Sequence, residues 1–256
     1  MSRGEQRSPM TLKIDALSMT LGPSGGSSRE SEVLIHAERG IFGVADGFGG
    51  GGESGSKAAK TSLSAVSEFL VREAGDRDAT LPFVLKRTFS FAGNILFNSL
   101  VHANRKLIQV NRSAPVSQKA GASLVVGYFD GPLMVIGGVG STEAWLLRDG
   151  VRTPLILPRT LSRMLSPGVH HTDPFNQIPL VGIGLFEDLE PDVHEYRIRK
   201  GDRILFSSSG LSQMDLDTLL PPDHLPNIGV AFPNDLSALQ SGDRRDELAF
   251  VFLCVS

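Results

Sequence analysis

An aspartate followed by a glycine-rich loop is the stretch of this sequence best suited to do chemistry. The apolar run from Ile41 to Ala45 predicts a buried strand, and Asp46 follows at its end. Residues 47 and 49–52 are all glycine, and a helical pattern runs from Ser54 to Arg72. Glycine lets the backbone approach a ligand closely or adopt positive φ. The order of strand, acid, glycine loop and helix therefore indicates a ligand site.

A phosphate-binding loop is one interpretation of this stretch, because such loops also join a strand to a helix. Their pattern places lysine directly after the last glycine, whereas Ser56 here separates Gly55 from Lys57. Ala58 also stands where a metal-binding hydroxyl is needed. A G-x-G-x-x-G match beginning at Gly47 is nearly automatic within a glycine run. The strands that follow do not alternate with helices, so nucleotide binding is the less favoured interpretation.

A metal site is the other interpretation. A carboxylate at a strand end, followed by a peptide carbonyl, offers the oxygen ligands that hard divalent cations prefer. The single cysteine, Cys254, excludes an intramolecular disulfide and a cysteine-rich metal centre. His170 and His171 are adjacent and have no third ligand at a metal-binding spacing, so we expect them in an exposed loop.

The overall composition favours a globular protein over a nucleic-acid or membrane module. The chain has 256 residues, of which 41% are hydrophobic, and a formal net charge of −3. That balance does not suit a dedicated nucleic-acid binder or a polybasic membrane surface. No apolar run approaches the roughly 20 residues of a membrane-spanning helix. We expect a cytoplasmic protein with a flexible tail at residues 1–9 and a single domain at residues 10–256.

The remaining pattern predicts many strands and two adjacent long helices. The helices are expected at 54–72 and 81–110, with a shorter one at 211–220. Asp-Gly pairs at 130–131 and 149–150 separate apolar runs, which is a strong hairpin signal. This arrangement predicts an α+β fold in which helices pack on sheets. The expected strands are 12–19, 33–37, 41–45, 123–129, 133–139, 143–148, 151–157, 193–198, 203–207 and 247–255.

Six segments resemble, in the right order, the motifs of the PPM, or type 2C, metal-dependent protein phosphatases. The resemblance implies a four-layer α-β-β-α sandwich of two antiparallel sheets flanked by helices. It also implies a binuclear Mg²⁺ or Mn²⁺ centre that activates water to attack phosphoserine or phosphothreonine. The six segments are Phe-Gly-Val-Ala-Asp-Gly-Phe-Gly-Gly at 42–50, residues 121–127, residues 138–150, residues 180–184 with 190–195, residues 201–211 and residues 246–253.

The resemblance assigns roles to individual residues of this chain. It makes Asp46 the ligand that bridges the two metals and gives the Gly47 carbonyl a metal contact. It makes Asp246 the ligand on the closing strand and places Glu30 at a further ligand position. Arg29 is the nearest substitute for the arginine that grips the substrate phosphate in the family.

Three positions at which the family carries metal-binding aspartates hold serine in this chain, namely Ser31, Ser141 and Ser209. A neutral hydroxyl is a poor substitute for a carboxylate beside Mg²⁺ or Mn²⁺, so we expect metal binding to be weak or partial. The expected function is that of a pseudophosphatase or very weak phosphatase. Such a protein would act as a signalling regulator through a phosphoprotein, a kinase or another signalling protein.

An active Mn²⁺- or Mg²⁺-dependent serine/threonine phosphatase is the alternative function. It requires other carboxylates to take the vacated positions, and the candidates are Glu30, Glu32, Asp202 and Asp243. In either case the irregular stretch from Pro158 to Phe186 is expected to determine specificity, because it is long and flanks the cleft in this resemblance.

Overall fold

The fold is a sandwich of two antiparallel five-stranded sheets with helices on both outer faces. The computed structural model describes residues 12–22, 30–51, 53–74, 85–165, 178–221, 236, 239 and 247–256. The predicted α+β class and its α-β-β-α layering are confirmed. None of the helices in these ranges is long and apolar enough to cross a membrane.

The described residues form ten strands and four α-helices. The strands are β1 (Ile14–Leu21), β2 (Ser31–His36), β3 (Ile41–Phe48), β4 (Gly121–Asp130), β5 (Leu133–Val139), β6 (Glu143–Arg148), β7 (Val151–Ile156), β8 (Asp192–Arg197), β9 (Arg203–Ser207) and β10 (Leu248–Val255). The helices are α1 (Ser54–Ala74), α2 (Phe91–Ser113), α3 (Leu161–Leu165) and α4 (Gln213–Leu219). One sheet has the order β1-β10-β9-β6-β7 and the other the order β2-β3-β4-β5-β8.

Three apolar layers hold the sandwich together, because each sheet buries both of its faces. Helices α1 and α2 pack on the outer face of the β2-β3-β4-β5-β8 sheet. The two inner faces pack on each other through residues such as Phe42 and Phe206. Helix α4 covers the outer face of the other sheet with Leu216 and Leu219. All eight residues of strand β10 are buried, and they divide between the layer that joins the two sheets and the layer under α4.

The start of α2 differs from the sequence-based prediction. The helix was expected from residue 81, but the described residues 85–90 precede it and the helix begins at Phe91. The Ser90 hydroxyl accepts a hydrogen bond from Gly93 N at 3.0 Å, which is an N-cap interaction. The Asn94 side chain also donates to the carbonyl oxygens of Lys86 and Phe89. These hydrogen bonds hold the preceding segment in a turn, where apolar periodicity alone suggested helix.

Candidate metal centre

Asp46 lies near the end of β3, and hydroxyl groups from both sheets contact its carboxylate. Ser31 is its direct cross-strand partner on β2, and Ser31 Oγ donates to Asp46 Oδ1 at 3.2 Å. Ser209 follows β9 in the opposite sheet, and Ser209 Oγ donates to Asp46 Oδ2 at 2.6 Å. Two of the three serines that the family resemblance places at metal-ligand positions therefore face Asp46 directly. The second hydrogen bond also connects one sheet to the other.

Glu247, which precedes β10, makes a second connection between the sheets at this end. Its Oε2 accepts hydrogen bonds from Glu30 N at 2.7 Å and from Ser31 N at 3.4 Å. Burial raises the pKa of Glu30, and the nearby charges of Asp46 and Glu247 raise it further. Three carboxyl groups from distant parts of the chain thus lie close together at the end of the sandwich.

Gly47 lies where β3 meets the beginning of α1, and the backbone there is packed too closely for any side chain. A Cβ atom at Gly47 would come within 1.9 Å of the Gly55 carbonyl oxygen. Gly47 N donates to Glu30 O at 3.0 Å, which fixes the strand end against the preceding segment. At Gly55, in turn, a Cβ would lie 3.1 Å from the Glu30 carboxyl carbon. The close approach of two backbone segments therefore requires glycine at position 47, whereas the nearest atoms at position 55 belong to the Glu30 side chain.

Ser141, the third serine that the resemblance places at a metal-ligand position, is buried and bonds to a different partner. Its hydroxyl lies 3.0 Å from Ser123 Oγ, and its backbone N–H donates to the same atom at 3.0 Å. Ser123 is the cross-strand partner of Asp46 on β4. The structure therefore brings Ser141 to the same end of the sheet as Asp46, but its hydroxyl is used in a serine pair.

Of the substitute ligands considered for an active phosphatase, Glu30 lies close enough to Asp46 for the two charges to interact, whereas Glu32 and Asp202 lie elsewhere. Glu32 is next to Ser31 on β2, so its side chain points to the opposite face, where it lines a groove with Lys60. Asp202 lies at the other end of β9, where it accepts two hydrogen bonds from Arg148 at 2.7 and 2.6 Å. The remaining candidates, Arg29, Asp243 and Asp246, lie outside the described residues, as do His170 and His171.

The part of the chain that the structure describes, which does not include Asp246, contains no ready-made cluster of metal ligands. Among the residues that the structure describes, no group of three or more His, Cys, Asp or Glu side chains is arranged to hold a metal ion. Both oxygens of Asp46 accept hydrogen bonds from neutral hydroxyls. The oxygen-rich cage that Mg²⁺ and Mn²⁺ require would need carboxylates in place of these hydroxyls.

Two contributors to this site were not singled out as functional from the sequence. Glu247 was expected only as the first residue of a strand, yet its carboxylate bonds to the backbone of Glu30 and Ser31. Ser123 was treated as part of an apolar strand, yet it binds Ser141. A serine flanked by apolar residues in a buried strand is the signal that could have identified Ser123.

Glu143, at the start of β6 near this end of the sandwich, gives the fold a pH dependence. Burial raises its pKa to about 7, although the Trp145 indole N–H donates to it at 2.7 Å. Between about pH 4.5 and pH 7 the folded chain holds a proton that the unfolded chain has lost, so stability falls as pH rises. We expect Glu143 to cost the wild-type protein about 2 kcal/mol of unfolding free energy between pH 5 and pH 8. The Glu143→Gln variant should not show this loss, because glutamine does not titrate.

Urea denaturation of both proteins at pH 5 and pH 8 measures this difference. Glu187→Gln is the matched control, because Glu187 is exposed. Equal pH dependence in the wild type and the Glu143→Gln variant would contradict a raised pKa at Glu143.

Comparison with solved structures shows which known proteins share this fold, although no protein-family model and no curated protein matches the sequence. The catalytic domain of the serine/threonine protein phosphatase PstP, solved with two manganese ions, superposes with a TM-score of 0.72 at 20% identity, covering 96% of this chain and 99% of that one. Stp1 from Staphylococcus aureus gives 0.73 at 17% identity, covering 98% and 99%. PppA, a regulatory component of type VI secretion in Pseudomonas aeruginosa, gives 0.71 at 18% identity, covering 95% and 98%.

Proposed function

Because this chain has the fold of the PPM serine/threonine phosphatases, we propose that it is a pseudophosphatase or very weak phosphatase that regulates signalling in the cytoplasm. It would do so by binding a phosphoprotein, a kinase or another signalling protein. The observation that carries this proposal is the hydrogen bonding of Asp46. Both of its carboxylate oxygens accept hydrogen bonds from serine hydroxyls at the positions where the family resemblance implies metal-binding aspartates.

The charge around Asp46 explains why this arrangement disfavours catalysis. A bridged pair of divalent cations brings four positive charges, which several carboxylates must balance in a partly buried site. Ser31 and Ser209 contribute none of that negative charge. Their hydroxyl hydrogens also point toward the carboxylate, where a cation would repel them. Asp46 then acts only as a hydrogen-bond acceptor, and the described residues supply no means of activating water.

An active Mn²⁺- or Mg²⁺-dependent serine/threonine phosphatase is the second candidate, and one observation favours it. Asp46 and Glu247 lie near enough to Glu30 for their charges to raise its pKa. A divalent cation among these three groups would relieve the mutual repulsion. The manganese-bound PstP domain has the same fold.

Manganese titration together with a phosphatase assay distinguishes the two candidates. With millimolar MnCl₂ and p-nitrophenyl phosphate, we expect turnover by the wild-type protein no higher than that of the Asp46→Asn variant. We also expect no calorimetric binding of Mn²⁺ below the millimolar range. Asp188→Asn is the matched control, because Asp188 is an exposed aspartate. Turnover that Asp46→Asn abolishes and Asp188→Asn preserves would establish the second candidate.

A further inference from the structure

A groove of about 540 Å³ runs along the side of the sandwich where both sheets end. Strand β7 is the last strand of one sheet, and β8 is the last strand of the other. Residues 154–158 form one wall, and Asp192, His194 and Tyr196 form the other. Helix α3 contributes Arg163 and Met164 to the lining. The groove is therefore the open side of the layer in which the two sheets pack together.

The floor of this groove belongs to the core between the sheets. Leu155 and Ile156 are each only 3% exposed, and both pack in the inter-sheet cluster. Close to the groove, Met164 and Leu165 on α3 are 61% and 71% exposed. Ile178, which accepts a backbone hydrogen bond from Leu161 N, is 51% exposed. Large apolar side chains concentrated beside an opening into the core are typical of a protein-binding surface.

The polar lining of the groove carries more positive than negative charge. Arg159 Nη1 lies 3.8 Å from Asp192 Oδ2, so these two charges compensate each other. Arg163 is a second positive charge in the lining, and His194 adds a polar ring. Glu143, the nearby acid that interacts with Arg163, is buried and is not among the described residues that line the groove. The lining therefore suits a negatively charged ligand with apolar side chains.

We propose that this groove binds an acidic segment of a partner protein. One apolar side chain of that segment enters between the sheets at Leu155 and Ile156, and its flanking Asp or Glu carboxylates contact Arg163 and His194. Pro154 lacks an N–H group, which disfavours addition of a strand along β7, so side-chain contacts hold the segment. The inference rests on the binding role in the proposed function and is independent of the state of the metal centre.

The groove and the Asp46 site lie at the same end of the sandwich. Arg159 N donates to Gly140 O at 2.7 Å, and the next residue, Ser141, bonds to Ser123 beside Asp46. A partner held in the groove would therefore present an adjoining part of its chain to the cleft around Asp46.

A phage-displayed library of random twelve-residue peptides tests this proposal with the full-length protein. We expect the selected peptides to combine an aliphatic or aromatic residue with flanking Asp or Glu. The best peptide, labelled with fluorescein, should bind about tenfold more weakly to Arg163→Gln and to Met164→Glu than to the wild type, as measured by anisotropy. Replacing its acidic residues with lysine should also abolish binding.

Two matched controls make the result specific to the groove. Lys60→Gln removes a positive charge elsewhere, and Met214→Glu introduces an acid at a methionine on α4 that is 73% exposed. Both should bind like the wild type, and circular dichroism should show all four variants folded. If the selected peptides bind the groove variants and the wild type equally, the groove is not the binding site, although the proposed binding role could still hold elsewhere on the protein. Selected peptides that are not enriched in Asp or Glu would also contradict the proposal that the groove binds an acidic segment. Manganese-dependent turnover would overturn only the inactive metal centre.

Discussion

A Ser31→Asp/Ser209→Asp double variant is expected to bind Mn²⁺ at least about 100-fold more tightly than the wild-type chain. Both hydroxyls already contact Asp46, one at each carboxylate oxygen, so the new carboxylates would flank Asp46 from both sheets. Three aspartates would then supply the charge and oxygen ligands that a divalent cation needs. Isothermal titration calorimetry measures the gain directly.

Thermal unfolding gives a second measurement of the same effect. Without metal, repulsion among three carboxylates should lower the unfolding temperature of the double variant below that of the wild type. At a Mn²⁺ concentration of 100 times the dissociation constant, binding should return about 2.7 kcal/mol of stability. The Ser31→Asn/Ser209→Asn variant is the control, because its side chains are similar in size and uncharged. If both double variants respond equally to Mn²⁺, positions 31 and 209 are not metal-ligand positions.

Gly47→Ala is expected to lower the free energy of unfolding by about 4 kcal/mol or more. The added Cβ would lie 1.9 Å from the Gly55 carbonyl oxygen, and backbone atoms cannot turn aside as a flexible side chain can. Relief of this overlap requires β3 and α1 to separate, which would disrupt the layer formed by buried residues such as Ala45 and Ala59.

Urea denaturation of the Gly47→Ala variant measures this cost. Gly22→Ala is the matched control, because no atom lies within 4 Å of a Cβ built at Gly22. It should change stability by less than about 1 kcal/mol. A Gly47→Ala protein as stable as the Gly22→Ala protein would show that β3 and α1 are not in close contact in solution.

The positions of the strands along the chain could be predicted, because local sequence signals mark most of their boundaries. Strands β5, β6 and β9 have the expected bounds, and β10 begins one residue later than expected. The Asp149-Gly150 turn has φ values of 52° and 77°, as the expected hairpin requires. The start of α2 could not be predicted in this way. The Asn94 side chain holds the preceding residues in a turn through hydrogen bonds, and the spacing of apolar residues gives no sign of such bonds.

The site was only partly predictable, because its contacts depend on how distant segments meet. The pairing of Ser31 with Asp46 follows from a hairpin, which short-range sequence signals can indicate. The Ser209–Asp46 hydrogen bond joins residues 163 positions apart, and the Glu247–Glu30 bond joins residues 217 positions apart. Only the family resemblance indicated that residues 30, 46 and 209 share a site. The carboxylate of Glu247 had no expected partner, because nothing in its local sequence indicates which segment it meets.

The two hydrogen bonds that join the sheets at this end also affect whether all copies of the protein in solution are in the same state. Within the described part of the chain, Ser209–Asp46 and Glu247–Glu30 are made entirely by groups that every copy of the protein carries. A sandwich held at this end by bound ions exists as a mixture of fully loaded, partly loaded and empty molecules, and the proportions change with the medium. With the metal-free centre of the proposed function, this sandwich should instead give one population with one unfolding transition, before and after dialysis against a chelator.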